Sequence, residues 1–173
     1  MRRFTRSSVA VIAVGFALTL SRGPAADPED WKVIAKVTSV GDKPAIPLTF
    51  GKNKDGPEHG LVFRGPADLA SRYVTDPKKA SDPAQQAAAA EWAAKLLKVD
   101  KIEWTGQMLL AISAGTNTAP HEVRLVSLRV NQGVLTVTWD LDPKTGTGLS
   151  DPRALVLVPR FDGEVRFARA EKK

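Results

Sequence analysis

Between residues 107 and 167 the chain runs through five short apolar segments separated by turn residues, at 108–113, 121–131, 134–141, 154–159 and 163–167. Segments of this length and spacing are strands of a sheet, not helices. Leu135, Val137, Trp139 and Leu141 alternate with Thr136, Thr138 and Asp140, the period of an antiparallel strand with one buried face. Residues 155–158 are apolar at every position, which places that strand centrally, with both faces covered, until Pro159 ends its pairing. Gly133 marks a tight reversal between the second and third segments. Asp162 followed by Gly163 predicts a hairpin between the fourth and fifth.

Upstream, Trp31, Val33, Ala35 and Val37 alternate with Lys32, Ile34, Lys36 and Thr38, a further strand signal. Glycines and prolines punctuate residues 40–60 and leave room for at most one short strand, near 46–50. Residues 60–64 form a strand that Gly65 turns into a helix over 66–73, with Pro66 at the first helical position, where a missing N–H costs little. The second helix is signalled most clearly. Asp82 caps it, Pro83 opens it, and an alanine-rich run carries it to Lys98. Ala88, Ala89, Trp92, Ala93 and Leu96 recur at spacings of three and four and form its apolar stripe, with Trp92 as a packing residue. The expected class is α+β: an antiparallel β-sheet of about five to seven strands with two helices packed on one side.

The N-terminus has the order of a secretory signal: Arg2, Arg3 and Arg6, then an uncharged apolar run over 9–20, then small residues at Gly23, Ala25 and Ala26. Twelve apolar residues reach only about 18 Å as a helix, against a hydrocarbon core of about 30 Å. Residues 1–26 are therefore read as a cleavable signal, cut after Ala25 or Ala26, with no permanent membrane span and a periplasmic or extracellular destination. Residues 27–59 form an N-terminal strand and Gly/Pro-rich loop, and 60–170 the main domain. The chain has no cysteine, so it has neither disulfides nor a lipid-modified cysteine. Losing Arg2, Arg3, Arg6 and Arg22 with the signal would take the formal charge from +6 to +2. The remaining basic residues are interspersed with acidic ones and lack the stripe and stacking aromatics of a nucleic-acid binder.

Chemistry is sparse. His59 and His121 lie far apart, outside any HxH or HExxH spacing, and too few for a zinc site. No GxSxG elbow is present, and Ser113 reads as a strand residue. Asp140 and Asp142 fit the first two ligand positions of a calcium loop, but Lys144 and Thr145 break the next two. Gly146, Thr147 and Gly148 precede no helix and so form no phosphate cradle. No catalytic, cofactor-binding or metal residue is assigned. Paired carboxylates at strand ends keep a second class open: a cell-envelope carbohydrate binder or hydrolase. It would gather at least two of Asp140, Asp142, Asp151 and Glu164 in a cleft with Trp104 or Trp139.

Strand 60–64 followed by a helix, the run from Val99 through Met108, Leu109, Leu110, Ala111 and Ile112 to Gly115, the segment Gly133-Val134-Leu135-Thr136-Val137, and the strand ending Val158-Pro159-Arg160 together resemble the C-terminal domain of the bacterial PrcB family of protease-complex subunits. The likeness covers roughly residues 60–168. It implies an exported, non-catalytic accessory domain associated with an envelope or secreted protease complex, with a protein partner and no enzymatic role. Family members often carry a Gly-Gly-Tyr type turn after the first strand of the block; this chain has residues 116–121 instead. The candidate interaction loops are the 115–121 loop, where the likeness fails, with Thr116, Asn117, Thr118 and His121, and the 142–152 loop, where packing constrains the sequence least, with Lys144, Thr145 and Thr147.

Overall fold

Strands that are apolar on both faces must be covered twice, and the chain meets that demand with three layers. The computed structural model describes residues 29–39, 45–53, 56–57, 59–73 and 76–170; the proposed leader lies outside these residues. In chain order the strands are β1 (Glu29–Asp30), β2 (Ala35–Thr38), β3 (Lys52–Asn53), β4 (Gly56–Pro57) and β5 (Gly60–Phe63), then β6 (Gln107–Ser113), β7 (His121–Asn131), β8 (Val134–Pro143), β9 (Arg153–Pro159) and β10 (Glu164–Arg169). Helices α1 (Pro66–Tyr73) and α2 (Pro83–Leu97) fall between β5 and β6.

The fold is α+β. An inner sheet, in the order β2-β9-β6-β5, carries both helices on one side and an outer sheet, β1-β7-β8-β10, on the other. Among the described residues, strands β3 and β4 pair only with each other. Within β6 and β9 the faces separate cleanly. Leu109, Ala111, Leu155 and Leu157 meet the helices through Leu69, Ala93 and Leu97. Met108, Leu110, Ile112, Val156 and Val158 meet Val123, Leu128, Leu135, Val137 and Trp139 of the outer sheet. The outer sheet has only one buried face, which is why β8 alternates and β9 does not.

Local chemistry sets the ends of α2. The Asp82 carboxylate accepts the Ala84 N–H at 3.0 Å, and Lys98 closes the helix in the left-handed conformation, its N–H donating to the Ala94 and Lys95 carbonyls. The buried stripe is rotated from the expected one: Ala89, Ala93, Ala94 and Leu97 are buried, whereas Ala88 is exposed. Trp92 packs by stacking on Tyr73 of α1, ring centroids 4.9 Å apart.

Three local expectations change. The alternation over 31–38 is real, but the segment serves two sheets: the Trp31 N–H donates to Leu128 of the outer sheet and the Ile34 N–H to Leu157 of the inner one. The Gly/Pro-rich stretch holds two short strands, β3 and β4, where the sequence leaves room for at most one, and none at 45–50, where the Arg153 guanidinium takes the carbonyls of the buried Ile46 and Leu48 at 2.6 and 2.7 Å. Asp162 and Gly163 make no hairpin. They carry the chain from the inner to the outer sheet, where β10 runs parallel to β8. Gly163 is required there for closeness: a Cβ would stand 2.5 Å from the Gly133 carbonyl oxygen.

Candidate functional site

One end of the two sheets is capped by the loop after β6 and the loop after β8, the two loops singled out in the sequence. The structure brings them together. Asn117 and Ser150 exchange backbone hydrogen bonds at 2.7 and 2.9 Å, the Ser150 hydroxyl donates to the Ala119 carbonyl at 2.8 Å, and the Lys144 N–H donates to the Pro120 carbonyl at 3.0 Å. Gly115, Gly146 and Gly148 hold positive φ, which lets the two loops bend toward each other without a side-chain clash.

The seven candidate residues divide by role. Asn117, His121 and Lys144 face inward and tie the loops down: the Asn117 amide donates to the Gly115 carbonyl, His121 Nδ1 lies 2.8 Å from the Ala119 carbonyl, and the Lys144 ammonium bridges Glu122 and Asp142 at 2.9 and 2.8 Å. Thr116, Thr118, Thr145 and Thr147 are exposed. Beside them Leu149 is 74% exposed, next to the buried Ser150 that anchors the loop. The sequence does not single out Leu149, because the bridge that anchors its neighbour Ser150 reaches to Asn117, 33 residues away in the chain.

Charge is also locked at this end. Thr38 of the inner sheet donates to the Glu122 carboxylate of the outer sheet, and Lys144 donates to both Glu122 and Asp142. The Thr38 hydroxyl first and the Lys144 ammonium second hold the Glu122 carboxyl below its ordinary range; Lys144 does the same for Asp142. Reciprocally, Asp142 and Glu122 hold the Lys144 ammonium above its ordinary value.

Next to the loops lies a cleft of about 400 Å³ lined in part by Phe50, His59, Ser113, Thr116, Asp151 and Arg153. The Ser113 hydroxyl donates to Asp151 at 3.1 Å, and the other Asp151 oxygen is held by Arg153 at 2.6 Å. His59 Nδ1 lies 3.0 Å from the Ser113 backbone carbonyl. Serine bonded directly to a paired carboxylate, with the imidazole turned to a main-chain oxygen, is not the nucleophile, base and orienter sequence of an acyl-transfer site. Of the four strand-end carboxylates, Asp151 alone lines this cleft. Asp140 sits between Arg124 and Arg169 at 3.5 and 3.8 Å, Asp142 on Lys144, and Glu164 on Arg166 at 2.7 Å. Trp139 is buried between the sheets, and Trp104 packs partly buried against the helix-side core.

Among the described residues no group of three or more His, Asp or Glu side chains could hold a metal ion, no buried side-chain nitrogen or oxygen lacks a partner, and no helix is long and apolar enough to cross a membrane. No family model, curated protein or solved structure matches the chain.

Proposed function

We propose that this chain is an exported, non-catalytic interaction domain that contacts a protein partner through its clasped loop end. The observation that carries the reading is Leu149, a large apolar side chain 74% exposed, whose neighbour Ser150 is tied to Asn117 by paired backbone bonds. An apolar side chain offered to solvent among the exposed Thr116, Thr118, Thr145 and Thr147 matches an apolar interface centre with a polar rim. The pairing of Asp140, Asp142, Asp151 and Glu164 with separate cations supports this reading over a hydrolase. The leader-like residues 1–26 and the PrcB-like strand order support an accessory subunit of an envelope or secreted protease complex.

Parallel affinity capture of the wild-type chain and Leu149→Ser from native envelope tests the reading. Both are expected to melt within about 2 °C of each other, because a surface truncation has little effect on stability. The wild type alone should retain a protein partner. Equal capture by both, or glycan binding without any protein partner, would overturn the proposal. Export is tested by the mass of the purified N-terminus: processing after Ala25 or Ala26 is expected, and an intact Met1 in the cytosol contradicts it.

A further inference from the structure

At their edges the two sheets stop side by side at β5 and β10, and a groove of about 410 Å³ opens between them. Its floor is the outer edge of β5, with which no described strand pairs. The Ser113 N–H donates to the His59 carbonyl at 3.0 Å, and these two residues are opposite in the β5 to β6 register. That bond sets the phase of the ladder: Leu61 and Phe63 exchange bonds with Ala111 and Leu109, so Gly60 and Val62 turn their N–H and C=O groups outward into the groove. The walls differ in kind. Asp68, Ser71 and Arg72 of α1 form a polar wall on the helix side, and Val165 and Phe167 form an apolar wall on the outer-sheet side. The Phe167 ring lies where a Cβ of Gly60 would stand, 2.1 Å from its nearest ring atom, which keeps this apolar wall close against the floor.

The geometry points to strand addition: an extended segment of a partner protein, alternating apolar and polar residues, pairs with the backbone of Gly60 and Val62. Its apolar side chains lie on Val165 and Phe167 and its polar ones along α1. Only a strand matches outward donor and acceptor pairs two residues apart, at a rise of about 3.3 Å per residue. The two walls dictate its alternation, since successive side chains of a strand point to opposite faces. This surface shares no lining residue with the cleft beside the loops, although Gly60 directly follows His59 of that cleft, and the Leu149 and Val62 variants test the two separately.

The probe is the peptide acetyl-Lys-Val-Thr-Val-Thr-Val-Lys-amide, titrated to millimolar concentration into the ¹⁵N-labelled protein. Amide shifts and slowed exchange are expected at Gly60 and Val62, with shifts at Val165 and Phe167. N-methylation of all the valines, or instead of both threonines, blocks the N–H groups of one strand edge or the other. One of these two peptides should bind about tenfold more weakly or worse, and the other should bind as the parent does. Val62→Pro removes an outward N–H that the β5 to β6 ladder does not use, and should abolish the shifts while leaving the fold intact. Should that variant unfold, the methylated pair decides. No shift at Gly60 and Val62, equal effects of the two methylation patterns, slowed exchange at the β10 amides instead, or self-association through β5 in place of peptide binding would each overturn the proposal.

Discussion

The inner and outer sheets each have four strands, yet they are built from different sequences and do different work. The inner sheet is covered by helices on one face and by strands on the other, so β6 and β9 carry apolar residues at nearly every position. The outer sheet is covered once, and its solvent face carries Arg124, Arg129, Thr136 and Arg166. Double coverage concentrates stability in two strands. Single coverage leaves one face of the outer sheet to solvent, while the proposed docking edge, β5, and the two loops that join the layers lie where the inner sheet stops.

The largest expected effect comes from breaking the doubly covered layer. Leu110 is fully buried between the sheets, and Leu110→Ala should cost about 2–5 kcal/mol in urea denaturation. Thr136→Ala on the outer sheet should cost no more than about 1 kcal/mol. Similar losses would erase the distinction between the layers. Next is the seam where the sheets meet at their edges. Gly60→Ala forces its new Cβ against the Phe167 ring and should cost about 1–3 kcal/mol. In a Phe167→Ala background the same substitution should cost much less, a coupling that a double-mutant cycle reads directly. Purely additive losses would mean that the ring does not decide the fit.

The smallest effect concerns the clasp between layers at the loop end. The Glu122 carboxyl is held below its ordinary range, so the folded state binds this proton less readily than the unfolded chain does. The stabilisation is present above the ordinary carboxylate pKa of about 4.3 and is lost as pH falls through the lower folded value. Glu122→Gln should therefore be less stable than wild type at neutral pH, with the difference shrinking in acid. A constant difference across pH 2–6, a range centred on about the ordinary carboxylate value, would show that Thr38 and Lys144 do not act through the carboxylate charge.

Much of this contrast is legible in the sequence, and the part that is not has a physical cause. The unbroken apolar run of β9 and the alternation of β8 announce double and single coverage, because burial acts directly on each residue. Asp82 and Pro83 announce the start of α2, and Gly133 announces the β7 to β8 reversal, where Gln132 and Gly133 both take positive φ. Alternation does not say which sheet a strand joins. Residues 31–38 keep one period while passing from one sheet to the other, and Asp162 and Gly163 look like a hairpin while making a crossing. The site follows the same rule. Exposed threonines in polar loops are readable residue by residue, whereas the Asn117 to Ser150 bridge and the pairing of Ser113 with Asp151 depend on strands that lie far apart in the chain.

Residue-resolved amide hydrogen exchange tests the contrast most directly, because each layer should open at its own free energy. The account predicts slowest exchange, at the global unfolding limit, in the paired amides of β6 and β9. The β7 to β8 hairpin should exchange faster, and the loop amides of Thr145 and Thr147 fastest, with Asn117 and Ser150 protected above their loop neighbours by the bridge. A hairpin better protected than β6 and β9, or an Asn117 and Ser150 pair that exchanges as freely as Thr147, would contradict it.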